Sequence, residues 1–224
     1  MTEVAPQRLL RVVIVDDEAL IRSGFAMILG TAPDLDVVAT VAGADAVSTV
    51  RRLEPDAVLL DVRMPDVDGL TVLRELKRLP RPPHVAMLTT FDTDEYLGEA
   101  LHAGAGGFLL KDTEPDMLIR SVRALATGAG CLSESVLRRL RTDGSRKNVP
   151  SAVHAVGALS ERERRILALL GHGMSNAEIG TRLLLSTSTV KDHVSVLLTK
   201  LGVSNRVQAA VVAERAGLLT PEAS

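Results

Sequence analysis

Val58-Leu59-Leu60-Asp61-Val62-Arg63-Met64-Pro65-Asp66-Val67-Asp68-Gly69 is the stretch that decides the fold. A continuous apolar run that begins at a β-branched residue and ends in turn formers reads as a strand buried on both faces. Asp61 stands where that strand stops, at the carboxyl edge of a sheet, which is where open α/β folds place their ligands. Taken alone, the stretch is equally a turn capped by its aspartate. A carboxylate at the end of a buried strand costs free energy unless something pairs with it, so the rest of the chain must decide.

Working outward, apolar strand patterns recur at Leu10 to Val15, Val37 to Val41, Ala57 to Asp61, His84 to Thr89 and Gly107 to Leu110. Helical spacing separates them at Ala19 to Leu29, Ala44 to Leu53, Leu70 to Leu79 and Asp94 to Ala103. A fifth helix is predicted to be capped by Thr113 and to run to about Thr127. Alternating strands and helices with short connections imply a parallel sheet with right-handed crossovers. The expected architecture is an α/β, flavodoxin-like, doubly wound parallel five-stranded sheet. No G-x-G-x-x-G follows the first strand, which disfavours dinucleotide binding.

At 224 residues the chain is long enough for two domains. It has no apolar run of membrane-spanning length and no signal-like N-terminus, so a cytoplasmic protein without a membrane partner is expected. Cys131 is the single cysteine, which excludes an intramolecular disulfide and a cysteine-based zinc site. Charge is divided unevenly: residues 1–128 carry −7, residues 129–150 carry +3 and residues 151–224 carry +2. All four aromatic residues, Phe25, Phe91, Tyr96 and Phe108, lie in the acidic part. A second part without aromatics is poorly equipped to stack unpaired bases.

The predicted strand ends bring Asp16, Asp17, Asp61, Thr89 and Lys111 to one edge. Clustered carboxylates repel unless a cation intervenes, and all-oxygen ligation suits magnesium. A carboxylate is also a competent nucleophile toward phosphorus, and phosphoryl transfer needs mainly positioning and charge neutralisation. Asp16-Asp17, Asp61 ahead of Met64-Pro65, Leu88-Thr89-Thr90 and Gly107-Phe108-Leu109-Leu110-Lys111 together resemble the receiver domain of two-component response regulators, over roughly residues 9–128.

That resemblance implies phosphorylation of Asp61 by a sensor histidine kinase. It also implies Mg2+ held by Asp16, Asp17, Asp61 and the Arg63 backbone carbonyl. Lys111 would pair with the phosphoryl group, Thr89 would close onto it, and Phe108 would turn inward. Two positions depart from the pattern: Asp112 stands where many receivers have proline, and Phe108 where a switch tyrosine is common. Haloacid-dehalogenase phosphohydrolases also use a strand-end aspartate, but need a second acid two residues later. Arg63 stands there and cannot serve as a general acid near neutral pH, so the chain is not expected to be an enzyme.

Residues 129–157 read as a linker, with a helix at Ser133 to Arg141 and a basic run that approaches DNA or is merely solvated. Residues 158–224 read as a small all-α domain of four helices. Ser160-Glu161-Arg162-Glu163 and Ser175-Asn176-Ala177-Glu178 are capping-box patterns, Ser186 is a third cap, and Asn205-Arg206-Val207-Gln208 opens the last helix. In the third helix Val190, Val194, Leu197, Leu198 and Leu201 form an apolar stripe, opposite Ser188, Lys191, Asp192, Ser195 and Thr199.

Leu159-Ser160-Glu161-Arg162-Glu163, Ser175-Asn176-Ala177-Glu178-Ile179 and Ser188-Thr189-Val190-Lys191-Asp192-His193-Val194 resemble the LuxR-type helix-turn-helix of NarL/FixJ-class response regulators. The resemblance implies double-stranded DNA as partner, with Lys191, Asp192 and Ser195 toward bases and Thr187, Ser188 and Lys200 near phosphates. It further implies a homodimer when phosphorylated. The alternative is a phosphorylation-independent regulator whose receiver serves only for dimerisation.

Overall fold

The computed structural model describes residues 8–90, 94–132, 154–203 and 205–219. The expected helix at Ser133 to Arg141 lies outside the described residues. The N-terminal part runs β1 (Leu10–Val15), α1 (Ala19–Leu29), β2 (Leu35–Val41), α2 (Ala46–Leu53), β3 (Ala57–Asp61), α3 (Gly69–Lys77), β4 (His84–Thr89), α4 (Asp94–His102), β5 (Gly107–Leu110) and α5 (Pro115–Ala126). A short β6 (Cys131–Leu132) follows. The strands form one parallel sheet in the order β2-β1-β3-β4-β5-β6.

Alternation along the strands loads both faces of the sheet. Val13, Val58, Leu60, Met87 and Phe108 face the layer of α2, α3 and α4. Val12, Ile14, Leu59, Ala86 and Leu109 face α1 and α5. Every residue of β3 is buried, which is why its sequence shows no alternation of polarity.

Among the described residues the sheet has six strands, where five were expected. Residues assigned above to the linker turn back through Gly128 (φ +77°) and Gly130 (φ +72°) and lie beside β5. The approach needs a bare backbone, because a Cβ on Gly107 would meet Cys131 Sγ at 2.2 Å. A two-residue strand is too short for any periodicity to announce it. Thr113 is also not the cap of α5. Its hydroxyl donates to the Leu110 carbonyl at 2.7 Å, and the helix begins at Pro115.

The C-terminal part contains α6 (Glu161–Gly171), α7 (Asn176–Leu183), α8 (Thr187–Leu201) and α9 (Arg206–Arg215). Both capping boxes form as read, and Ser186 and Asn205 cap α8 and α9. Ile166, Leu167, Leu170, Ile179, Val190, Leu197 and Val212 form the shared core of this part.

The two parts also pack against each other. Val207 and Val211 of α9 belong to the same apolar cluster as Leu97, Leu101, Ala105 and Phe108. Asn205 Nδ2 donates to the Ala105 carbonyl at 3.0 Å, and Gln208 Nε2 to the Leu101 carbonyl at 2.6 Å. Among the described residues, no helix is long and apolar enough to cross a membrane.

Candidate functional site

Four parallel strands end side by side and deliver the polar groups. Asp16 follows β1, Asp61 closes β3, Thr89 closes β4 and Lys111 follows β5. Asp16 is fully buried, while Asp61 and Thr89 are each 5% exposed. The end of β3 is pressed against the start of α3, where a Cβ on Gly69 would lie 2.2 Å from the Asp61 carbonyl oxygen. Only glycine permits that approach.

Lys111 is the electrostatic centre. Its Nζ lies 2.9 Å from Asp16 Oδ2, 3.0 Å from Glu18 Oε1 and 3.0 Å from Asp61 Oδ2. Burial pulls the lysine pKa down, but the three carboxylates overcome that and hold it above the ordinary value. At Asp61 burial dominates and raises the carboxyl pKa, helped by the charge of Asp16 and opposed by Lys111. The Arg63 backbone N–H donates to Asp61 Oδ1 at 3.3 Å.

Oxygens of Asp16, Glu18 and Asp61 lie within 4.8 Å of one another. The second oxygen of Asp16 accepts from the Glu18 N–H at 2.8 Å, whereas Oδ2 is buried and, among the described residues, has the Lys111 ammonium as its polar neighbour. A buried anionic oxygen with only an ion-pair neighbour, in an all-carboxylate set, fits a hard divalent cation. The arrangement therefore combines a buried strand-end carboxylate, a fixed ammonium group and acids able to hold a metal.

The predicted residues are not all brought together. Asp17 Oδ1 accepts from the Gly43 N–H at 2.9 Å, which ties the end of β1 to the loop after β2. The close oxygen set contains Glu18 in its stead. Glu18 was not among the expected ligands, and its one signal in the sequence is its place in the acidic run Asp16-Asp17-Glu18. Thr89 Oγ1 donates to the Thr90 carbonyl at 2.8 Å, directed along its own strand end. Phe108 is fully buried, at 1% exposure.

In the C-terminal part α8 presents Thr187, Ser188, Lys191, Asp192 and Ser195 to solvent, with Val190, Val194, Leu197 and Leu201 inward. Ser195 and Thr199 hydrogen-bond to carbonyls one turn back, at 3.1 Å each, which keeps that face low. Lys200 is differently employed. Its Nζ lies 2.7 Å from Glu163 Oε1, so it joins the C-terminal end of α8 to the capping box of α6.

Lys200 and the Ser160 N–H hold the Glu163 carboxyl well below the usual range, at about 2. A depressed folded-state value stabilises the fold above the unfolded pKa and loses that contribution as pH falls. Thermal denaturation of Glu163→Gln is therefore expected to show the larger deficit at pH 7 and almost none near pH 2. An equal deficit at both pH values would refute the pair's role.

Comparison with known proteins places these two parts in families. The description "Response regulator receiver domain" matches residues 12–123, and "Bacterial regulatory proteins, luxR family" matches residues 157–213. The transcriptional regulatory protein LnrK of Bacillus subtilis (strain 168) is 34% identical over 217 residues, covering 94% of this chain and 99% of its own length. The DNA-binding transcriptional activator DevR/DosR of Mycobacterium tuberculosis (strain ATCC 25618 / H37Rv) is 35% identical over 212 residues, covering 92% of this chain and 94% of its own. The crystal structure of the response regulator ChrA, from a heme-sensing two-component system, aligns with a TM-score of 0.53 and 34% identity. That alignment covers 94% of this chain and 99% of ChrA.

Proposed function

The chain belongs to the response regulators that join a receiver domain to a LuxR-type helix-turn-helix domain, and on that premise we propose that phosphorylation of Asp61 by a sensor histidine kinase controls its binding to double-stranded DNA. The observation that carries this reading is the buried Asp61 carboxylate held 3.0 Å from the Lys111 ammonium beside two further acids.

Asp16, Asp61 and the Arg63 backbone carbonyl would hold Mg2+, with Glu18 as the nearest further acid and Asp17 once it releases Gly43. The ion, when bound, neutralises charge on the phosphoryl oxygens. An Asp61 carboxylate oxygen forms the bond to phosphorus as the phosphorus–nitrogen bond to the kinase histidine breaks. Lys111 then exchanges carboxylate for phosphoryl oxygens, and Thr89 turns its hydroxyl from the Thr90 carbonyl toward them. The product is a modified regulator, so no turnover is required of the chain, and its place is the cytoplasm with its kinase and DNA.

The message travels by packing. Phe108 of β5 pairs with Met87, two residues before Thr89, and lies three residues before Lys111; it shares its apolar cluster with Val207 and Val211 of α9. Shifting β5 loosens the seat of α9, which frees that helix for a second copy and α8 for a major groove. Lys191, with Asp192 and Ser195, would meet base edges and Thr187 and Ser188 phosphates, while Lys200 holds α8 in place through Glu163. We take the phosphoacceptor domain to be residues 1–128 plus β6, the linker to be the rest of 129–157, and the DNA-binding domain to be 158–224.

The test is the DNA affinity of the full chain with and without the phosphoryl mimic beryllofluoride in the presence of Mg2+. Tightening by about tenfold or more is expected. Equal affinity in both conditions, with the chain dimeric throughout, would replace this reading by a phosphorylation-independent regulator that uses its receiver for dimerisation.

A further inference from the structure

Tyr96 is the only tyrosine of a chain that has no tryptophan. It lies in the first turn of α4, half-buried, with the Arg63 guanidinium carbon 5.6 Å from its ring centroid. Arg63 follows Asp61 by two residues, and its backbone N–H already touches the Asp61 carboxylate at 3.3 Å. The side chain therefore starts beside the nucleophile and ends on a different element.

Charge around Asp61 says what this cation is for. Among the described residues, Lys111 is the ammonium that ion-pairs with Asp16, Glu18 and Asp61, while Arg22 meets only the Asp16 backbone carbonyl. Phosphorylation would replace one carboxylate by a group of about −1.5 to −2. Even Lys111 with a divalent ion leaves negative charge unmatched. A guanidinium over a partly exposed ring is held weakly, whereas paired N–H···O bonds to phosphoryl oxygens are among the strong polar contacts.

We propose that the Arg63 guanidinium is a second phosphoryl-binding cation, which leaves the Tyr96 ring for the oxygens on Asp61 and so carries the modification to α4. This rests on Asp61 being the phosphoacceptor. The exchange matters because α4 is the helix whose Leu101 carbonyl accepts from Gln208 of α9. Phe108 has no hydroxyl with which to carry a polar signal, and the Arg63–Tyr96 contact supplies one on the same face. Arg63 acts on α4 as a positioning residue, through Tyr96.

Tyrosine emission reports Tyr96 alone and can be followed in the full chain as Mg2+ and beryllofluoride are added. The emission is expected to change on addition in the parent. In Arg63→Gln it should start at the altered level and respond little, and Arg63→Lys should restore part of the response. The apparent affinity of Arg63→Gln for beryllofluoride should fall about fivefold, the margin by which a charge-assisted bond exceeds an exposed cation–π contact.

Radiolabelled phosphate from acetyl phosphate serves as the independent measure. A labelled parent with unresponsive emission overturns the proposal, as does an Arg63→Gln chain whose emission responds like the parent's. A parent that takes no label on Asp61 overturns the phosphoacceptor reading itself, and the proposal falls with it.

Discussion

Asp61→Asn is expected to abolish acid-labile phosphate incorporation from a small phosphodonor, because the amide has no anionic oxygen to attack phosphorus. No neighbour can substitute. Asp16 is fully buried with one oxygen bonded to the Glu18 N–H, and Asp17 is bonded to Gly43. Glu18 is largely exposed to solvent, whereas Asp61 is enclosed beside Lys111. Undiminished labelling of the variant would place the phosphoacceptor elsewhere.

The same substitution carries a stability prediction of definite sign. Burial raises the Asp61 pKa above its unfolded value, so the ionised side chain weakens the folded state as pH rises through the raised value. Asn removes that burden. The variant should melt no lower than the parent at pH 7, and any gain should vanish below about pH 4, where the carboxyl is protonated folded and unfolded alike. Labelling of the parent should slow as pH falls through the raised folded-state value, where the Asp61 carboxylate becomes protonated. A variant that melts clearly lower at pH 7 would show that the Lys111 pairing outweighs the burial cost.

Val207→Asp is expected to produce the second large effect: DNA binding without a phosphodonor. Val207 is 3% exposed and packs in the apolar cluster of the receiver, not in the core of the helical part. A carboxylate forced into that cluster costs about 3 kcal/mol or more, roughly a hundredfold in the equilibrium between docked and released α9. Because the helical core is untouched, the released domain keeps its fold. Titration of operator DNA with the unphosphorylated variant checks this, and small-angle scattering should show an extended particle. Parent-like weak binding by a chain with its helices intact would mean that docking of α9 does not restrain the output domain.

The sequence disclosed those features that repeat with the period of an element or recur at a strand end. Each strand that feeds Asp16, Asp61, Thr89 or Lys111 is a buried apolar run ended by a polar residue, so the edge they share could be read in advance. Which acid of Asp16-Asp17-Glu18 faces inward could not, because a turn sets their directions and the Gly43 N–H takes Asp17. Lys200 showed only a basic side chain near a helix end; its partner lies 37 residues away. β6 was hidden by its brevity and by its dependence on the missing side chain of Gly107. The seat of α9 did leave a trace, since Val207, Ala209, Ala210, Val211, Val212 and Ala213 are apolar around the whole helix and all buried. A helix without a polar face is covered on more than one side.

That seat bears on how such regulators can be recombined. Asn205 and Gln208 address particular backbone carbonyls, and Val207 completes a layer begun by Leu101 and Phe108. The two parts are thus a fitted pair, not interchangeable modules. A hybrid grafting a foreign helical part after Leu132 would need matching side chains at positions 205, 207, 208 and 211, or it would answer its kinase while leaving its operator ungoverned.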